Sequence, residues 1–152
     1  MQLEHYTRDQ FNHWTSIDVR WGELDAYAHV NNVVYFTYFE ASRTKYMMDL
    51  GVADFFTGKR CLQVIVNCSM NFRREVRFPA TLEIGTRVIE TRTSSYTMHC
   101  GIFLHGSDTL TADGTGTIVC IDPITKRPMP IPDDFLQAME QREGRIFPRV
   151  QS

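Results

Sequence analysis

Asn32 to Leu50 is the stretch that decides what this chain can become. Val33, Val34, Tyr35, Phe36, Tyr38, Phe39, Tyr46, Met47 and Met48 recur there at helical spacing, with Glu40, Arg43 and Thr44 as a narrow polar strip. Apolar side chains on most of the circumference predict a helix buried on nearly all sides. At 1.5 Å per residue it would be about 28 Å long. Glu40, Arg43 and Lys45 interrupt it too often for a membrane span. Gly51 stops it, because glycine adopts the left-handed conformation that ends helices at little cost. Such a helix is stable only if the remaining chain folds around it.

That remainder has the alternation of strands. Trp14 to Trp21 places Ile17, Val19 and Trp21 on one face and Ser16, Asp18 and Arg20 on the other. From Leu62 to Phe72 the even positions are apolar while Gln63, Asn67, Ser69 and Asn71 occupy odd ones, the pattern of a half-buried strand. Leu82 to Val88 alternates similarly, as does Tyr96 to Leu104 before a turn at His105–Asp108. A last strand spans Leu110 to Ile121, where Gly114 and Gly116 mark a bulge or a close approach of another backbone. After the proline-rich segment from Asp122 to Pro132, Asp133 is placed to cap a short helix reaching Gln141. The order describes an α+β domain filling residues 1–152, an antiparallel sheet wrapped around one long central helix with a short C-terminal helix. With 43% hydrophobic residues the chain suffices for one core. Two sheet edges and an outer face would still need cover, which predicts self-association with the site between protomers.

Directly ahead of the long helix lies Glu23-Leu-Asp-Ala-Tyr-Ala-His-Val-Asn-Asn32. Asp25 to Asn31 reads as a loop, and Asn31 or Asn32 can cap the helix. The first N–H groups of a helix lack partners and carry the positive end of its dipole. A carbonyl oxygen aimed at the N–H groups of Val30 to Asn32 would be polarised while Asp25 or a water attacks its carbon, which is acyl transfer in outline. His29 is placed either to position substrate or water or to pack at the helix entrance. Arg73 and Arg74 with Arg77, and the pairs Lys59-Arg60 and Lys126-Arg127, are candidates for phosphate contacts or for solvated strand ends. Glu40 is expected to pair with Arg43, and His99 and His105 to meet solvent or a second copy. Tyr27, Tyr35, Phe55 and Phe56 are candidates to line an acyl pocket or to join the core.

A net charge of −2 argues against a general nucleic-acid binder. The polar first ten residues argue against a secretory signal. Cys61, Cys68, Cys100 and Cys120 form no CxxC or Cys/His pair at metal spacing, so no metal site is expected, and they suit a reduced, cytoplasmic setting.

Three stretches carry a resemblance. They are Val19 to Tyr35 continuing through Tyr38-Phe-Glu-Ala-Ser-Arg43 to Gly51, then Met70-Asn-Phe-Arg-Arg74 leading into Phe78-Pro-Ala-Thr-Leu-Glu83, and Ala112-Asp-Gly114 through Asp122 to Pro132. Together they resemble the hotdog-fold acyl-CoA thioesterases of the 4-hydroxybenzoyl-CoA thioesterase-like group, and the first stretch is the specific one. The resemblance implies hydrolysis of an acyl-CoA thioester to a free acid and coenzyme A. Asp25 would be nucleophile or general base, His29 and Asn32 would complete the catalytic set, and Arg73 and Arg74 would lie nearest the coenzyme A phosphates. It implies no cofactor beyond the coenzyme A of the substrate, and a homodimer or homotetramer. Acyl-carrier-protein thioesterases share the Asp-x-x-x-His-Val-Asn-Asn context but have asparagine where this chain has Tyr27. A non-catalytic acyl-CoA binding protein is the alternative of another class.

Overall fold

The computed structural model describes residues 2–55 and 57–149, so Phe56 lies outside the described residues. Its elements are β1 (His13–Asp18), α1 (Asn32–Asp49), β2 (Leu62–Phe72), β3 (Thr81–Thr91), β4 (Ser95–Leu104), β5 (Leu110–Ile121) and α2 (Asp133–Glu143), with single 3-10 turns at Arg8–Gln10 and Trp21–Glu23. The strands form one antiparallel sheet in the order β1-β3-β4-β5-β2, wrapped around α1 as the hotdog fold requires. Tyr96, Met98, Cys100 and Ile102 of β4 meet Tyr35, Tyr38, Phe39, Tyr46 and Met47 of α1 in the core. Gly116 lets the helix come close, since a Cβ there would sit 3.2 Å from the Phe39 ring. The glycines of β5 mark close approaches, and the sheet's irregularity against β2 lies on β2.

Asn31 resolves the choice of cap: its Oδ1 accepts the Val33 N–H at 3.1 Å, and Asn32 is the first helical residue. Gly51 ends the helix with φ of 69°. The helix is not buried on nearly all sides within one chain. Its inner face is closed, but Val33 is 70% exposed, and Phe36 and Met48 are also open. At the other end of the chain Asp133 does not cap α2; Pro132 precedes the helix, and the Asp134 carboxylate accepts the Phe135 N–H.

The largest departure from the sequence pattern is in β2. Its register against β5 breaks between Ile65 and Asn67, so Val66 is an extra residue. Gln63 and Ile65 are partnered with inward Cys120 and Ile118, whereas beyond the break Cys68 is partnered with Gly116. A one-residue bulge moves the inward set from odd to even positions. Val64 and Val66, expected inside, therefore stand exposed on the free edge, and polar Gln63 faces the helix, where its Oε1 accepts the Tyr96 hydroxyl at 2.9 Å.

The outer face also differs from expectation. The N-terminal segment crosses it, and Tyr6 and Phe11 lie 4.4 and 5.3 Å from the His99 ring. His99 is thus buried rather than exposed, with Arg87 Nε donating to its Nδ1 at 3.0 Å, while His105 is exposed. Phe11 fits because β3 and β4 carry Gly85 and Gly101 beneath it; a Cβ on either would come within 3.0 Å of its ring.

Candidate active site

The loop before α1 is built by its own aspartate. Asp25 Oδ1 accepts the N–H groups of Tyr27 at 2.9 Å and His29 at 3.2 Å, and the Asp25 N–H donates to the His29 carbonyl at 2.7 Å. Ala28 takes φ of 61° to close the turn. One carboxylate oxygen is thereby fixed, and the other has no hydrogen-bond partner among the described residues.

The helix entrance offers fewer donors than its sequence suggests. The Val30 N–H donates to Val76 O at 2.9 Å, the Asn31 N–H to Glu23 O at 3.0 Å, and the Val33 N–H is taken by the cap. Asn32 alone of the residues from Val30 to Val33 keeps an unpartnered N–H among the described residues. It is the first residue of α1, where the helix dipole adds to its donor strength.

Asp25, His29, Asn32, Arg73 and Arg74, five residues from two distant parts of the sequence, line one cavity of about 230 Å³. Tyr35 and Phe72 supply its apolar wall, their rings 5.3 Å apart. Burial pushes the Tyr35 phenol up to about 12, so it remains protonated at neutral pH. The His29 imidazole makes no hydrogen bond to Asp25 among the described residues. Its Nε2 lies 2.7 Å from Glu75 Oε2 and 3.0 Å from Arg77 Nη2, and only one of these contacts can be a hydrogen bond for a given tautomer. Glu75 is the site residue that the sequence pattern concealed, because nothing short of the return from β2 to β3 brings it to the helix entrance.

The two arginines have different surroundings. Arg73 Nε donates to Asp113 Oδ1 at 2.6 Å, and its Nη2 donates to the Glu4 carbonyl. Burial pushes the Asp113 carboxyl up, but His99 and Arg73 together outweigh this and hold it below the usual carboxylate range. Arg74 spends only its backbone N–H, on Thr111 O at 3.0 Å, leaving an exposed guanidinium at the cavity wall. That guanidinium also borders a neighbouring cleft of about 420 Å³ with His5 and Thr109. Arg60 is engaged with Asp134 at 2.7 Å, and Lys59, Arg60, Lys126 and Arg127 are absent from the lining of both spaces. Of the aromatic candidates, Tyr27 is exposed, and Phe55 packs tilted 4.5 Å from Phe135 while also lining a separate cavity farther along α1.

Comparison with known proteins finds relatives of the chain as a whole. A sequence model of the Thioesterase-like superfamily matches residues 19–139. The long-chain acyl-CoA thioesterase FadM of Escherichia coli (strain K12) is 28% identical over 127 residues, which cover 84% of this chain and 96% of FadM. Among solved structures, the PA5185 protein from Pseudomonas aeruginosa has a TM-score of 0.81 at 29% identity, covering 90% of this chain and 95% of that one. A thioesterase from Thermus thermophilus, crystallised with coenzyme A and zinc, has a TM-score of 0.78 at 26% identity over 90% of this chain and 98% of its own.

Proposed function

The chain belongs to the thioesterase-like superfamily and is a hotdog-fold thioesterase, and on that premise we propose that it hydrolyses acyl-CoA thioesters with Asp25 as its reactive carboxylate. The observation carrying this reading is that Asp25, with one carboxylate oxygen unpartnered, and Asn32, with its N–H unpartnered, line the same cavity. The thioester oxygen accepts from the Asn32 N–H, which becomes a better partner as negative charge develops on that oxygen. Asp25 then takes a proton from water as the water oxygen bonds to the carbonyl carbon, or attacks that carbon itself. The C–S bond breaks, coenzyme A leaves as a thiolate and takes up a proton, and the free acid departs. By the direct route, water hydrolyses the intervening anhydride. His29 positions substrate through its Glu75 contact, and Arg74, rather than Arg73, meets the coenzyme A phosphates.

No cofactor beyond the substrate's own coenzyme A takes part. Two copies join along the free β2 edge and the exposed side of α1, in a reducing cytosol that keeps the four free cysteines as thiols. Asp25→Ala is expected to lower kcat on acyl-CoA by roughly 10²–10⁴-fold, the usual worth of a general base. Wild-type turnover by that variant across an acyl-CoA panel would remove Asp25 from the mechanism.

A further inference from the structure

A second cavity, of about 350 Å³, lies farther along α1, between the helix and the sheet behind the β2 bulge. Glu40, Arg43, Met47, Gln63, Ile65 and Tyr96 are among its walls, and its volume is at the lower end of the ~300–1,000 Å³ typical of small-molecule sites. Its chemistry is not that of a plain alkyl pocket. Gln63 is turned inward by the bulge, bonded to Tyr96 through Oε1 and 3.1 Å from Cys61 Sγ through Nε2. Arg43 is half-buried, with its guanidinium 4.5 Å from the Phe39 ring centre. The expected pairing with Glu40 does not form: Glu40 stays exposed, and no carboxylate among the described residues makes an ion pair with Arg43. A partly desolvated cation without a counter-charge is costly, and the planar fork of arginine matches a carboxylate bidentately.

The cavity also lies at a useful distance from the Asn32 N–H. Helical side chains lean toward the N-terminus, which agrees with the Arg43 guanidinium lying over Phe39. Phe39 follows Asn32 by seven positions, about 10 Å along the axis at 1.5 Å per residue. We infer that this cavity receives the far end of the acyl group and that Arg43 pairs with a carboxylate there, so the substrates are coenzyme A thioesters of medium-length dicarboxylic acids. This inference rests on the thioesterase reading and specifies its substrate class. A monocarboxylic chain of equal length would leave the guanidinium, whose side-chain partner is the neutral Cys68 thiol, without a counter-charge and cover the polar Gln63–Tyr96 wall with methylenes.

The test is kcat/KM on matched pairs, suberoyl- against octanoyl-CoA and sebacoyl- against decanoyl-CoA. The dicarboxylic member is expected to be favoured by roughly 10- to 100-fold, the range of a charged hydrogen bond. Arg43→Met should collapse that ratio to about one, and Arg43→Lys, which keeps the charge, should retain part of it. Product inhibition of the wild type, stronger by sebacate than by decanoate, reads the same preference should a variant fail to fold. Equal or better turnover of the monocarboxylic thioesters, or an unchanged ratio in folded Arg43→Met, would overturn the assignment while leaving the thioesterase reading intact. Absence of turnover on all four thioesters would overturn both.

Discussion

Arg73 and Arg74 are adjacent and identical, yet β5 gives them different work. Asp113 is the β5 partner of Asn71, and Arg73 reaches its buried carboxylate while Arg74 points into open space at the cavity wall. Arg74→Ala should raise KM for acyl-CoA several-fold with the melting temperature nearly unchanged. Arg73→Ala should instead cost about 3 kcal/mol of stability, the penalty of orphaning a buried charge, in urea titrations. The pH dependence follows from Asp113. Its folded carboxyl lies below the usual value of 3.8, so its contribution is complete above that pH and is lost as pH falls through the lower folded value. Asp113→Asn should flatten that acid limb. Sequence alone could name both arginines as candidates for phosphate contacts or solvated strand ends; only the cross-strand register separates them. Asp25 was more legible, because an Asx turn and the following helix are local to its own sequence.

At the scale of elements, α1 and the extent of β5 were readable nearly to the residue, α1 because helix capping is a local signal and β5 because the turn at His105–Asp108 and the prolines beyond Asp122 bound it. β2 was readable as a strand, but its facing was not, because alternation over Leu62 to Phe72 hides the extra residue at Val66. The bulge leaves Val64 and Val66 exposed and turns Gln63 into the cavity wall beside Arg43. Deleting Val66 should leave a continuous ladder, with Ile65 still opposite Ile118 and Asn67 still opposite Thr117. The shortened protein is therefore expected to fold, with far-UV circular dichroism unchanged. A collapse of that spectrum would show that the bulge is needed for the sheet to form. The helix entrance carries a similar lesson: the dipole predicted three available donors, and two were consumed by Val76 and Glu23, tertiary partners that no periodicity reveals.

For the whole molecule, the expected need for cover divides in two. The chain's own N-terminal segment covers the β3–β4 part of the outer face with Tyr6 and Phe11. The β2 edge stays open, with Val64 43% and Val66 60% exposed, and Val33 and Phe36 of α1 are also uncovered. An unprotected apolar edge strand invites pairing with another copy, and a charge placed on it opposes that pairing. Val64→Lys should convert the proposed dimer to monomer in sedimentation velocity, and a wild-type protein that already sediments as a monomer would remove the β2 interface. The Phe11 ring covering the β3–β4 part of the sheet constrains inheritance. Phe11 occupies the space that side chains at Gly85 and Gly101 would need, across three positions far apart in the gene. Enlarging either glycine first collides with the ring, and shrinking the ring first opens a hole over two bare backbones. Descendants of this sequence should therefore keep the trio unchanged or replace its members together.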